Sequence, residues 1–378
     1  MTLPVSFEGN AGRGNSTIEA PASITTTNSF NEILAFARKQ QASDIHLSAE
    51  SQITLRQFGQ LKAISTDNLT SKRLKEMVIE CLPHESIELF VATGDCELIY
   101  SLTGLGRFRI TMIKQHHGLD VTVRLIPMEI PKFESTGMPA SCANLTKWAQ
   151  GLVLITGPAG SGKTTTLATL VDMINQTRND HIVSIEQPIE IVFEPKQCQI
   201  TQREINLHTV SQHNALRAAL REDPDILIIS ELRDLQTVQL AISAAETGHL
   251  VFGTMNTVNA AQTISRIIDS FPSEEQPIIR NMLSESLRGV ICQQLIPKID
   301  GSGMAVAYEV LIVNQSIANL IREGRTGQIS NAITTGRNAG MILLENSLQA
   351  LVLNGQISAT QACEYSTNPS MMMQLLNT

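Results

Sequence analysis

The segment from Gly157 to Thr164 constrains the fold of this chain more than any other. It reads Gly-Pro-Ala-Gly-Ser-Gly-Lys-Thr, which matches the pattern G-x-x-x-x-G-K-[ST] in full. An apolar segment, residues 152–156, precedes the motif, and a helical pattern, residues 163–176, follows it. In this setting glycines let consecutive N–H groups converge on phosphate oxygens, and the helix N-terminus adds partial positive charge. The sequence therefore predicts a phosphate-binding loop between a buried strand and a helix.

Two residues of this motif are expected to contact a nucleotide directly. Lys163 is predicted to reach the β and γ phosphates, and the Thr164 hydroxyl is predicted to bind Mg²⁺. The motif alone does not distinguish a kinase, a GTPase and an ATPase. The chain has no N-K-x-D-type segment with which a GTPase would read its base, which argues against a GTPase.

Acidic residues end two further apolar segments. Glu231 follows residues 226–230, and Glu186 ends residues 182–186. In a parallel sheet these carboxyl ends face the ligand crevice, so Glu231 is placed to polarise a water in line with the γ phosphate. Glu186 is placed to hold Mg²⁺ or its water ligands. The alternative for each is a solvated carboxylate at a strand end or in a Pro-rich turn.

The second half of the chain predicts an α/β fold. Apolar strands alternate with helical patterns from residue 152 to residue 254, which indicates a parallel sheet covered on both faces. After residue 260 the chain is expected to be mainly helical, apart from a strand at residues 306–313.

The first half predicts a separate, small α/β domain. Ser29 and Glu32 fit a capping box that begins a helix, and a second helix is expected over residues 72–90. Residues 107–113 and 120–126 alternate apolar and polar side chains as strands do, and this places several arginines on a polar face. The predicted organisation is a flexible tail (1–27), an N-terminal domain (28–126), a linker (127–147) and an ATPase domain (148–378).

The composition of the chain argues against some classes of binding partner. The formal net charge is -8 and aromatic residues make up 4% of the chain, which disfavours nucleic acid as a partner. The cysteines and histidines lack the spacing of a metal site. No apolar run approaches the roughly 18–20 residues of a membrane helix, and the first 27 residues do not resemble a secretory signal. We therefore expect a cytoplasmic protein that reaches a membrane only through a protein partner.

Several stretches of the chain, in this order, resemble the hexameric secretion and pilus motor ATPases, and most nearly the PilT-type pilus retraction ATPases. They are residues 42–47, 106–109, 202–204, 215–225, 244–250 and 320–324. A further signature of the wider family is matched by Leu220, Arg221, Pro224, Asp225, Glu231, Arg233 and Asp234. The resemblance covers most of the chain, from residue 29 to the C-terminal helices.

The resemblance implies a PAS-like N-terminal α/β domain and a RecA-like P-loop ATPase domain with a helical C-terminal part. It implies a homo-hexamer that hydrolyses ATP with Mg²⁺ at subunit interfaces. Motion would pass to an inner-membrane platform protein that disassembles a type IV pilus, with the ATPase peripheral at that membrane. A second pilus ATPase is a further candidate partner.

The resemblance also assigns site residues. Glu231 matches the catalytic base, and Glu186 matches the first acid of the family's Asp box. Arg107, Arg109 and Arg124 match arginines that approach nucleotide across domain or subunit boundaries. The nucleotide-binding loop comprises Gly157, Pro158, Ala159, Gly160, Ser161, Gly162, Lys163, Thr164 and Thr165.

Three positions depart from the family pattern. Gln187 stands where the family has Asp, Asn256 stands where it has His, and Ser230 stands where it has Gly. Gln187 supplies no negative charge to Mg²⁺, and Asn256 carries no proton near neutral pH. Because Lys163 and Glu231 remain, we expect an active, slow retraction ATPase. The alternatives are a low-activity nucleotide-binding ring subunit beside another pilus ATPase, and an assembly or type II secretion ATPase.

Overall fold

The computed structural model describes residues 20–377, which form two compact units. The first unit contains the described residues up to Glu129 together with Pro188–Ile191, and the second contains Ile130–Gln187 and residues 192–377. Most of the predicted tail, residues 1–19, lies outside the described residues. Its last part packs on the first unit, because Ile24 is buried and Arg73 donates to the carbonyls of Thr26 and Thr27.

The first unit is a six-stranded antiparallel sheet with three helices. Its strands are β1 (Asp44–Ser48), β2 (Ser51–Gln57), β3 (Gln60–Leu69), β4 (Asp95–Leu102), β5 (Gly106–Gln115) and β6 (Gly118–Leu125), in the order β3-β2-β1-β6-β5-β4. Its helices are α1 (Phe30–Lys39), α2 (Ser71–Cys81) and α3 (His84–Thr93). Helix α1 begins at the predicted capping box, since Ser29 Oγ accepts from Glu32 N–H and the Glu32 carboxylate accepts from Ser29 N–H. Its apolar face, including Phe30 and Ile33, lies in the core.

The prediction of one helix over residues 72–90 is wrong, because the segment forms the two helices α2 and α3. The chain is extended at Leu82 and restarts with Pro83 at the N-cap of α3. A proline disfavours helical geometry in the residue before it, which explains the break. Strand β3 was not predicted either, because most of its side chains are exposed and polar.

The second unit is built on a seven-stranded sheet. Its strands are β7 (Gly151–Thr156), β8 (His181–Glu186), β9 (Gln199–Glu204), β10 (Ile226–Ile229), β11 (Leu250–Met255), β12 (Leu287–Pro297) and β13 (Met304–Ile312), in the order β13-β12-β7-β11-β10-β8-β9. All neighbours pair in parallel except β12 and β13, which are antiparallel. Every residue of β7, β10 and β11 is buried, as a parallel sheet covered on both faces requires. The predicted α/β class is confirmed.

Helices cover this sheet and continue beyond it. They are α4 (Ala140–Asn144), α5 (Lys163–Thr177), α6 (Gln212–Ala219), α7 (Leu235–Glu246), α8 (Ala260–Asp269), α9 (Gln276–Ser286), α10 (Gln315–Arg322), α11 (Ile329–Thr335), α12 (Leu344–Leu353), α13 (Ala359–Tyr365) and α14 (Pro369–Leu376). The last three pack with β12 and β13 around a small apolar cluster that includes Ile296 and Leu348. Within residues 20–377, no helix combines the length and apolar character needed to span a bilayer.

Two segments differ from the sequence expectation. From Ile130 onward the predicted linker belongs to the second unit, where Cys142 and Leu145 are buried. The expectation of mainly helical structure after residue 260 is wrong for β12, an 11-residue strand. Strand β12 pairs with β7 in parallel and so lies directly beside the strand that leads into the predicted phosphate loop.

Candidate active site

The predicted phosphate loop connects the buried strand β7 to helix α5. Gly157 and Gly162 both have positive φ, 147° and 89° respectively, a region that residues with a Cβ rarely adopt. Gly162 is the N-cap of α5 and has no side chain to cap it. The first N–H groups of this 15-residue helix have no intrahelical acceptor, so they are available to an anion.

The ammonium group of Lys163 binds to carbonyl groups of this loop. Its Nζ donates to the carbonyl of Gly157 at 2.8 Å, to that of Pro158 at 2.9 Å and to Oδ1 of Asn256 at 2.8 Å. Burial lowers the pKa of Lys163, and the Glu231 carboxylate opposes that shift. The ammonium group is therefore held over the loop by neutral oxygens that a phosphate group can replace.

Glu231 follows the end of strand β10, as the sequence predicts. Its Oε1 accepts from Asn256 Nδ2 at 2.7 Å, and its Oε2 accepts from Arg233 Nη2 at 2.6 Å. Its backbone carbonyl accepts from Gln212 Nε2 on helix α6. The carboxylate is one quarter exposed, so it can meet a water molecule while its direction is fixed by two donors.

Asn256 joins these two groups. The amide oxygen faces Lys163, and the amide nitrogen faces Glu231. This is the one orientation that satisfies both neighbours, because an ammonium group has only donors and a carboxylate has only acceptors. The structure thus brings Lys163 and Glu231 together through one uncharged side chain.

Glu186 ends strand β8 and is buried, with 8% of the residue exposed. Its Oε1 accepts from Ser184 Oγ at 2.7 Å and from Gln202 Nε2 at 2.9 Å. These donors compensate for removing the carboxylate from water and fix its position at the carboxyl end of the sheet. The neighbouring Gln187 is exposed, and Thr164 is exposed in the first turn of α5.

Arg107, Arg109 and Arg124 lie on strands β5 and β6 of the first unit. Each has partners inside that unit. Arg107 donates to the carbonyl of Ile189 at 2.6 Å. Arg109 pairs with Glu97 and Glu190, and Arg124 pairs with Asp44. Their expected approach to nucleotide stays a prediction.

Sequence reasoning missed the residues that orient the two acids. Ser184 and Gln202 hold Glu186, and Asn256 donates to Glu231, a contact that the departure of Asn256 from the family pattern does not predict. The pairing of Ser184 with Gln202 on adjacent strands places both beside Glu186. Since strand β9 was not predicted, this register was not available from the sequence.

Known proteins are similar to this chain in sequence and in fold. Residues 21–374 match the family model described as "Type II/IV secretion system protein". The chain is 43% identical over 340 residues to the type IV pilus retraction ATPase PilT of Pseudomonas aeruginosa, covering 90% of this chain and 98% of that protein. It is 39% identical over 318 residues to a twitching motility protein of Neisseria gonorrhoeae, covering 84% of this chain and 85% of that protein.

A solved structure is also similar to this chain. The crystal structure of the pilus retraction motor PilT with bound ADP superposes with a TM-score of 0.80 at 39% identity, covering 92% of this chain and 99% of that chain. The family resemblance predicted from the sequence is thereby confirmed. The chain belongs to the type II/IV secretion system protein family.

Proposed function

We propose that this chain hydrolyses ATP and uses the energy to retract a type IV pilus. The observation that carries the proposal is the link between Lys163 of the phosphate loop and the Glu231 carboxylate through Asn256. A loop suited to a polyphosphate and a carboxylate suited to activating water lie within one short network. The similarity to PilT supports ATP as the nucleotide and pilus retraction as the output.

The chain's own residues account for binding and hydrolysis. ATP enters at the N-terminus of α5, where its phosphate oxygens accept from loop N–H groups. Lys163 exchanges the carbonyls of Gly157 and Pro158 for phosphate oxygens. Glu231 then accepts a proton from a water whose oxygen attacks the γ phosphorus, while the bond from that phosphorus to the bridging oxygen breaks and ADP leaves.

Mg²⁺ fits the donor set of this site. The Thr164 hydroxyl and the Glu186 carboxylate are oxygen ligands, the type that Mg²⁺ prefers. Glu186 is buried and already oriented by Ser184 and Gln202, so it would hold the ion or its waters with little reorganisation. When bound, the ion would neutralise phosphate charge.

The assembly and its location form part of the same proposal. We expect a ring of six copies on the cytoplasmic side of the inner membrane, attached through a platform protein, and a second pilus ATPase is a candidate partner. The family resemblance supports this arrangement. Light scattering that gives a mass near 41.2 kDa with and without ATP would contradict the ring.

The binding test is Lys163→Ala. Loss of the ammonium group removes a positive donor from a site built for a polyanion, so we expect ATP binding to be lost in a direct titration. Lys147→Ala is the matched control, because Lys147 is an exposed lysine of the same unit outside the loop. Unchanged ATP affinity in Lys163→Ala would refute the nucleotide site.

The direction of the motor needs a cellular test. The gene is deleted from the source organism. If the chain drives retraction, the deletion leaves surface pili in place and abolishes twitching. Loss of assembly instead removes the pili. We expect the first result, restored by the parental gene and not by Lys163→Ala. Cells without surface pili would show that the chain drives assembly.

The departures at Gln187 and Asn256 favour one second candidate, a ring subunit with little hydrolysis of its own beside another ATPase. Both residues are uncharged at positions where the family resemblance predicts Asp and His. A steady-state ATPase assay on the purified chain separates the two candidates. Turnover no faster than that of Glu231→Gln, with ATP binding intact, would favour the low-activity subunit.

A further inference from the structure

Strand β12 places a buried glutamine directly against the phosphate loop. Gln293 is 2% exposed, and its Nε2 donates to the carbonyl of Ser161 at 2.6 Å. In the pairing of β12 with β7, Cys292 lies opposite Thr156, the last residue of β7. Gln293, the next residue of β12, therefore lies level with the point where strand β7 ends and the phosphate loop begins.

Gln293 also lies close to the first and last glycines of the motif, Gly157 and Gly162. A Cβ at Gly157 would collide with the backbone carbonyl of Gln293, and a Cβ at Gly162 would lie 3.1 Å from Gln293 Nε2. The Gln293 Oε1 atom has no hydrogen-bond partner within residues 20–377. The hydrogen bond to Ser161 is thus the one described polar interaction of this amide, and it goes to the loop.

The geometry of the peptide group gives this contact a function. The C=O of Ser161 and the N–H of Gly162 belong to one trans peptide unit, so they point in opposite directions. Because Gln293 Nε2 on β12 donates to the Ser161 carbonyl, that carbonyl points toward β12 and the N–H of Gly162 points away from it. Rotation of this peptide changes ψ of Ser161 and φ of Gly162, and Gly162, which has no Cβ, offers little steric resistance to that rotation.

We propose that Gln293 is a positioning residue that fixes the Ser161–Gly162 peptide so that its N–H faces the phosphate group. It does not contact the nucleotide itself. This inference rests on the proposed function only in assuming that the loop binds ATP. If the parental chain fails to bind ATP, the proposed function is wrong; if it binds ATP and the variants below do not differ from it, the inference is wrong.

The first test is Gln293→Met, which keeps the volume of the side chain and removes its donor. We expect about fivefold weaker ATP binding, the effect of losing one ordinary hydrogen bond. The matched control is Gln349→Met, because Gln349 Nε2 donates to the carbonyl of Leu375 at the same 2.6 Å length but joins two C-terminal helices. The control is expected to lower the melting temperature and leave ATP affinity unchanged.

A second variant separates positioning from packing through its pH dependence. The carboxyl group introduced by Gln293→Glu can donate to the Ser161 carbonyl while it is protonated, and burial favours that state. Once ionised, it has no donor and places negative charge beneath a polyanion site. We therefore expect nearly parental ATP affinity at pH 5.5 and affinity about tenfold or more weaker at pH 8.5.

Each value is compared with the parental chain at the same pH, because ATP and nearby groups titrate as well. These groups are Lys163 on α5, Cys292 on β12, and two residues of β13: Tyr308, which lies opposite Gln293, and Glu309, which lies opposite Cys292. A ratio of affinities that does not change with pH would overturn the proposal, as would parental affinity in Gln293→Met. If Gln293→Glu does not fold, Gln293→Met and its control still decide the question.

Discussion

Replacing Glu231 by Gln tests the chemistry of the site with little change in shape. The amide can still accept from Asn256 Nδ2, but its NH₂ group then faces Arg233. Because the Arg233 side chain is 72% exposed, it can turn to solvent, and losing such a surface pair costs below about 1 kcal/mol. Loss of a general base instead slows the reaction by about 10²–10⁴, or about 3–6 kcal/mol of barrier. The rate of hydrolysis should therefore fall far more than the stability of the fold.

The assay combines turnover at saturating MgATP, ATP affinity and the melting temperature. The control is Glu323→Gln, since Glu323 also pairs with an arginine two residues later, Arg325 at 3.2 Å, and lies outside the site. We expect the control to keep parental turnover. Parental turnover in Glu231→Gln would refute the assignment of Glu231 as the base. Loss of ATP binding together with turnover would show that Glu231 supports the loop instead.

Two further predictions concern charge. Burial raises the pKa of Glu309 from 4.5 to about 7. Between these values the folded chain binds more protons than the unfolded chain, so the free energy of unfolding falls as pH rises through that window, by at most about 3–4 kcal/mol. Glu309→Gln should abolish this fall, and melting temperatures at pH 5 and pH 8 that decline equally in both chains would contradict it. The pair Asn256→His and Gln187→Asp should raise kcat at saturating MgATP, since it restores a carboxylate for Mg²⁺ and a group that can carry charge. No gain in kcat would mean that the site works with the amides it has.

The sequence was most informative where local chemistry decides structure. The capping box at Ser29 places the start of α1, and the motif from Gly157 to Thr164 places the loop between β7 and α5. Both depend on residues near each other in the chain. Glu186 and Glu231 could be located at strand ends for the same reason.

The sequence was least informative where distant residues meet. Strand β12 contains Arg288, Gln293 and Gln294, which interrupt its apolar pattern, yet most of it is buried, because it lies between β7 and β13 in the sheet and contacts helices α8 and α13. The orientation of Glu186 depends on Gln202, which reaches it only through the pairing of β8 with β9. Such contacts follow from sheet order, which periodicity does not determine.

The place of β7 between β11 and β12 has a consequence for synthesis on the ribosome. Strand β7 is complete at Thr156, but β11 begins at Leu250 and β12 at Leu287. At about 5–20 residues per second, roughly 7–26 s pass between translation of β7 and of β12. Until β11 has been translated, the fully buried strand β7 has neither neighbour, and until β12 has been translated the phosphate loop lacks the strand that carries Gln293. ATP therefore cannot stabilise the nascent loop in its final form until translation has passed β12.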